Sequence, residues 1–422
     1  MRRVVVIGAG AAGSMAAIFA AARGAETLLL ERTQDGGRKI LISGGGRCNI
    51  LPATVDESRF VTDSSPHTLR KMIRAWPLRE QIRFFEDEMG IPLAEETESA
   101  KLFPASNRAR DVRDGLLALA VRRGATLMTD TKAIGFAPRA AGWVVEREGE
   151  PPLEADAVIV ATGGLSVPST GSDGLGLRVV EQLGHTVHPT YAALTPIVAD
   201  PAPFAALAGI SLTVTLTARS GERSASSTGG FLFTHQGYSG PAVLDVSHVA
   251  VRAPAGSASP ARLLVRWTER GDREWEAALR PPASPRPQGV PPSQSALRPQ
   301  GPRTVAGVLS GAMPERLADA LLAHARVDTA RLLSELRRDE RLRLIDALVR
   351  GALPWSGDAG YKKAEVTGGG VSLAEIDPKT CESRKHPGLF LCGEMLDAFG
   401  PIGGYNFLWA WATGRAAGMG AA

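Results

Sequence analysis

Arg3-Val4-Val5-Val6-Ile7-Gly8-Ala9-Gly10-Ala11-Ala12-Gly13, continued by an Ala-rich stretch to Arg23 and by Thr27-Leu28-Leu29-Leu30-Glu31, decides the fold. Arg3–Ile7 reads as a buried parallel strand, Ala11–Arg23 as a helix and Thr27–Leu30 as the next strand. Gly8-x-Gly10-x-x-Gly13 joins strand to helix. The first glycine permits the tight turn, the second lets the backbone approach a pyrophosphate, and the third lets helix and strand pack closely. A helix N-terminus at this point attracts an anion. Glu31 ends the second strand where an acid accepts hydrogen bonds from an adenosine ribose. An acid there favours a free 2′-hydroxyl, hence FAD or NAD over NADP.

The chain has 422 residues, 44% of them apolar and 22% charged. That is too long for one small domain and ample for a sizeable core. No apolar run reaches the roughly 18 residues of a membrane span. Met1-Arg2-Arg3 and the apolar stretch behind it imitate a secretory leader, but Gly8, Gly10 and Gly13 interrupt it and a second strand follows directly, so we expect no cleavage. The net charge of +4 allows an anionic partner. Its arginines are scattered among acids without the basic block of a nucleic-acid arm, and read as a solvated surface. Cys48, Cys381 and Cys392 form no Cys-x-x-Cys pair, and no metal-ligand set is read; a reducing cytoplasm is the expected home.

Helical pattern recurs over Leu69–Met89 and Val112–Arg123, and Ala157–Ala161 is another short buried strand ending in Thr162-Gly163-Gly164. From about Thr195 the pattern alternates, with strands over Leu212–Ala218, Gly230–Phe233 and Leu263–Trp267. Residues 280–302 hold eight prolines and read as a surface loop without regular structure. Helices are expected over Glu315–His324 and Thr329–Val349, a strand over Gly388–Cys392 and a closing helix from Tyr405. The last segment thus rejoins the first. The expected architecture is α/β: a discontinuous nucleotide domain of residues 1–192 and 355–422, a β-rich insert of 193–303 and a helical insert of 304–354.

Downstream of Glu31 lies Gly36-Gly37-Arg38-Lys39-Ile40-Leu41-Ile42-Ser43-Gly44-Gly45-Gly46-Arg47-Cys48-Asn49. Phe103-Pro104, Ala161-Thr162-Gly163-Gly164-Leu165-Ser166, Thr170-Gly171-Ser172-Asp173-Gly174, Phe233-Thr234-His235-Gln236-Gly237-Tyr238-Ser239-Gly240-Pro241 and Gly393-Glu394-Met395-Leu396-Asp397 with Gly403-Gly404-Tyr405-Asn406 extend the pattern over most of the chain. In these blocks the sequence resembles the BaiN/RdsA-like NAD(P)/FAD-dependent oxidoreductases, bacterial flavoproteins that include aminoacetone oxidase-type enzymes. The Pro-rich run resembles nothing in that family. The resemblance implies a Rossmann-like, disulfide-reductase-like FAD domain and a hydride transfer between flavin and a small organic substrate. NAD(P)H or oxygen is the co-substrate, NAD(P)H a transient visitor because a second complete nucleotide fingerprint is absent.

The implied FAD contacts are Gly8, Gly10, Ala11, Ala12, Gly13, Glu31 and Arg32 from the opening motif; Arg38, Lys39, Ser43, Gly44, Gly45, Arg47, Cys48 and Asn49 from the glycine block; Thr162, Gly163 and Gly164; and Gly393, Glu394, Asp397, Gly403, Gly404, Tyr405 and Asn406. The triple glycine with Arg47 and Asn49 offers amides and one cation to something planar and anionic. Cys48 reads as an inert small residue beside the flavin, with a redox partner as the alternative. Glu394 and Asp397 compete for the ribityl chain, with helix capping as the plain reading of either. His235 is the candidate acid–base or substrate-orienting residue, against a buried structural histidine. An aminoacetone-type amine oxidase, an RNA-modifying or RNA-binding flavoprotein and a flavin scaffold without turnover remain open.

Overall fold

The computed structural model describes residues 1–281 and 303–422; most of the Pro-rich run lies outside them. Met1–Leu194 with Gly360–Ala422 form one compact unit and Thr195–Ala359 another. The expected divisions at 192 and 355 thus fall a few residues later.

The first unit is built on a parallel sheet ordered Leu389–Leu391, Ala157–Val160, Arg3–Ile7, Glu26–Leu30, Thr126–Met128. Val4, Val5 and Val6 are wholly buried at its centre, as a strand covered on both faces requires. The first helix, Ala11–Ala22, packs along the closing helix, Tyr405–Ala421. Small residues let the two backbones touch: a Cβ at Gly414 would lie 2.3 Å from Ala12 O, and one at Gly418 2.2 Å from Ala16 O.

Two expectations in this unit need correction. The helix expected over Leu69–Met89 is split into Pro66–Arg74 and Leu78–Arg83 with a wider turn over Phe84–Glu88. Pro77 lacks an N–H, and its ring disfavours helical backbone at Trp76. Between Ala133 and Ala155 an antiparallel meander (Ala133–Pro138, Trp143–Arg147, Glu150–Ala155) stands where no strands were expected. Its strands are short and carry Pro138, Pro151 and Pro152, which mask the alternation.

At the amino-terminal side of this unit's sheet, Glu375 staples several loops. It accepts from Thr186 N and Oγ1, contacts His185 Nδ1 at 2.9 Å and pairs with Lys385 at 2.8 Å. Burial alone would raise its carboxyl, but Lys385 and the Thr186 hydrogen bonds outweigh that and bring it down to about 2. A carboxyl depressed in the folded state adds stability that is complete above its unfolded value and lost as pH falls towards the folded one. Wild type should therefore lose this contribution between about pH 4.5 and about pH 2. Glu375→Gln should lower the urea midpoint at pH 7 and flatten that acid limb; an unchanged limb would remove Glu375 from the account.

In the second unit the described strands form an antiparallel seven-stranded sheet around the hairpin Ser211–Ser220 and Arg223–Thr234. The helix Pro241–Val251 packs on that hairpin. No helix is expected there from sequence, because Val243, Val246, Val249 and Val251 look strand-like, although Pro241 at its first turn is a helix-start signal. The helices Glu315–Ala325 and Arg338–Arg350 share one core with Phe231, Phe233 and Trp267 from the sheet. Strands and helices here are one folded body, in place of the separate β-rich and helical inserts expected. The helix expected from Thr329 starts only at Arg338, where Glu340 turns back to accept from Arg337 N at 3.0 Å.

Candidate functional site

All five parallel strands deliver their carboxyl ends to one cavity of about 580 Å³ in the first unit. Gly8 follows the first strand, Glu31 the second, Thr131 the turn after Thr126–Met128, Thr162 the fourth in sequence and Gly393 the last. Open parallel sheets place ligands at this edge.

Each glycine of the opening motif has a different reason to be one. Gly8 takes φ +104°, and a Cβ on it would lie 2.7 Å from Ala161 O. A Cβ on Gly13 would lie 1.8 Å from Gly8 O, so this glycine brings helix onto strand and does not line the cavity. Gly10 has extended backbone, lines the cavity, and a Cβ on it would meet no protein atom within 4 Å. The chain leaves open the space over the one glycine that a pyrophosphate must approach. Beside it Glu31 accepts from Ala9 N at 3.1 Å and from Thr33 N and Oγ1 at 2.9 and 2.7 Å. Loop and acid are thus fixed to each other before any ribose arrives.

Ala11 and Ala12 line the same end, with Arg32, whose guanidinium donates to Gly171 O and pairs with Asp173 at 2.6 Å. Arg38 lines it too and pairs with Asp35. Deeper in the wall, Lys39 donates to Ser166 Oγ at 2.7 Å and Glu394 Oε2 at 2.8 Å. Glu394 Oε1 also accepts from Ser166 Oγ and Thr367 N. Burial pushes the Glu394 carboxyl up, but the Lys39 ammonium and these hydrogen bonds prevail and hold it below the usual carboxylate range.

At the other end Gly44 and Gly45 take left-handed backbone under Ser43, and Arg47 lies 4.1 Å over the Phe103 ring while pairing with Glu96. Thr162, Gly163, Gly393, Gly403 and Gly404 line it as well. Gly404 is obligatory: it has φ +89° and a Cβ on it would lie 2.4 Å from Leu51 C. The amides of Asn49 and Asn406 also border the cavity but serve the main chain. Asn49 accepts from Gly404 N and donates to Leu51 O, while Asn406 bonds Gly400 in both directions.

Four further expected contacts do not line the cavity: Cys48, Gly164, Asp397 and Tyr405. Cys48 is fully buried, and burial pushes its thiol up to about 12, which suits the inert reading. Gly164 is a glycine because Thr367 and Glu394 crowd it. Asp397 accepts from Asp63 N, Ser64 N and Ser64 Oγ at 2.8–2.9 Å, so it anchors a loop, and of the two rival acids only Glu394 borders the cavity. Tyr405 packs its ring at a tilt against Phe60, with centroids 5.6 Å apart, and accepts from Asp56 N on its hydroxyl. His235 lies in the second unit, exposed in the turn between Arg223–Thr234 and Gly237–Ser239, so it is not a buried structural histidine. The reading missed Lys101, Thr131 and the aromatic Phe407. Lys101 stands two residues before the quoted Phe103-Pro104, and strand alternation puts both on one face.

A family model described as the HI0933-like protein Rossmann domain matches residues 2–420. Over 428 residues the chain is 32% identical to a 3-dehydro-bile acid delta(4,6)-reductase of Clostridium scindens, covering 100% of this chain and 99% of that one. It is 31% identical over 412 residues to a ribosomal RNA dihydrouridine synthase of Escherichia coli, covering 97% and 95%. A ribosomal RNA dihydrouridine synthase of Haemophilus influenzae is 30% identical over 418 residues, covering 98% and 96%.

Proposed function

The chain belongs to the HI0933-like Rossmann-domain family of flavoprotein oxidoreductases, and from that premise we propose that its cavity holds FAD and that it adds hydrogen across a carbon–carbon double bond conjugated to a carbonyl. The observation that carries the cofactor is the cavity itself: it joins a bare Gly10, a fixed Glu31 and a glycine-lined far end in one space. FMN would leave the Glu31 end without a ribose to meet. When bound, FAD supplies hydride acceptance and donation at its isoalloxazine ring. The chain's share is binding and orientation. The Gly8–Ala12 loop and helix N-terminus take the pyrophosphate, Glu31 the ribose, and the Lys39–Glu394 pair fixes the wall along the linker.

The bond change is supported by what the relatives' names have in common. A delta(4,6)-reductase of 3-dehydro bile acids and a dihydrouridine synthase both name hydrogen addition to a C=C bond, in an enone-like steroid or a uracil ring. Uridine in ribosomal RNA is the second reading, favoured by the two dihydrouridine synthases and by the pI of about 9.1.

The test is anaerobic. NADH or NADPH should bleach the yellow protein, and a cyclic enone or uridine-containing ribosomal RNA should restore the colour. Bleaching by amines with no response to either nicotinamide would replace this reading by an amine oxidase. We keep His235 as a proposed proton-transferring or substrate-orienting residue. Its exposure gives it no packing role, so His235→Ala should leave melting unchanged and slow the half-reaction with the organic substrate by about a hundredfold. Equal rates would end that role.

A further inference from the structure

The cations bordering the cavity are mostly spoken for. Arg32 pairs with Asp173, Arg38 with Asp35, Lys39 with Glu394 and Arg47 with Glu96. Two lysines border the cavity with no ion pair closed on them among the described residues: Lys363, whose ammonium is exposed to solvent, and Lys101, which is half-buried. The carboxylate opposite it in the strand pairing Leu93–Glu96 with Lys101–Pro104 is Glu96, which is already committed to Arg47 at 3.0 Å and Ser99 Oγ at 2.6 Å. Glu96 and Lys101 attract each other through space, but no carboxylate closes on the ammonium, which leaves it a place for an anion in the cavity.

Its place says which anion. With the ADP part of FAD held at the end with Gly10 and Glu31, its isoalloxazine would fall at the end with Gly44, Phe103 and Gly403. There the Lys101 stem runs along Gly403, whose added Cβ would lie 3.6 Å from Lys101 Cε. Gly403 and Gly404 lead into the closing helix of 17 residues, whose first amides have no intrahelical acceptor. Two positive features thus meet at one point. A hydride delivered to the N5 of a bound flavin would bring two electrons and one proton, leaving one negative charge over N1 and the C2 carbonyl. We propose that Lys101, together with the start of the closing helix, receives that charge and so tunes the flavin towards its reduced form. This rests on the FAD reading above.

Sulfite reports the same charge without turnover: its sulfur lone pair bonds N5 and the displaced ring electron pair moves onto N1–C2=O. On FAD-loaded protein, Lys101→Met should weaken sulfite binding at least about tenfold, which corresponds to a fall of about 30 mV in the two-electron potential. Lys101→Arg should stay within about threefold of wild type, and Lys101→Gln repeats the Met result should that variant fold poorly. Unchanged sulfite affinity and potential in a Met or Gln variant carrying stoichiometric FAD would overturn the proposal. A wild-type chain that takes up no FAD overturns the cofactor reading itself, a failure visible before any variant is made.

Discussion

Gly10→Val should give a folded protein without colour. Gly10 has φ −79° and ψ −167°, a conformation open to any residue, and its Cβ direction meets no protein atom within 4 Å. The chain therefore has room for an added β-carbon there, and that carbon points into space an occupant of the cavity would fill. Gly10 also caps the first helix, where valine is a poorer cap, so the apoprotein should lose only about 1 kcal/mol. FAD affinity should fall by at least about a hundredfold, because the side chain takes the space of the pyrophosphate and covers its helix N-terminus. The neighbouring Gly13→Ala should do the opposite. Its Cβ would lie 1.8 Å from Gly8 O, so the fold itself should lose about 3 kcal/mol. A yellow Gly10→Val protein would mean that the pyrophosphate lies elsewhere.

The second large effect concerns the seam between the first and closing helices. At Gly418 even one added carbon would sit 2.2 Å from Ala16 O, and the partner surface is main chain that cannot swing aside. Gly418→Leu must push the helices apart and empty the contacts around Ala16 and Ala417, both wholly buried. We expect a loss of about 3 kcal/mol or more. That is a fall of roughly 6–12 °C in melting temperature for a body of this size. Ala12 sits on the same seam and borders the cavity, so FAD should be released at the lower temperature as well. Melting followed by circular dichroism and flavin fluorescence checks both; an unshifted transition would show that the seam is loose.

What the sequence disclosed was what short-range spacing encodes. The strand–loop–helix–strand opening, Glu31 and the closing helix all rest on neighbours within about thirty residues, and the structure places them as read. Spacing also marks where a glycine is needed without saying which side needs it. Gly10 is bare for a ligand, while Gly13 and Gly164 are bare for the chain itself, and only packing separates the two cases. Asp397 and Tyr405 sit in the same motif as Glu394 and Gly404 yet turn away, because Ser64 and Phe60, more than three hundred residues earlier, claim them. Alternation places Lys101 on the face of Phe103, but which way that face turns depends on the pairing of Lys101–Pro104 with Leu51–Pro52, a contact across about fifty residues. The helix Pro241–Val251 shows tertiary packing overriding the strand preference of its valines.

We propose that FAD fills the cavity bordered by residues from Ile7 to Ala410. The most direct measurement is the chromophore released by heat from purified wild-type protein, identified by chromatography and counted against the chain. One FAD per chain is expected, released without covalent attachment. FMN in its place, or a chain that stays colourless after incubation with FAD, would contradict it.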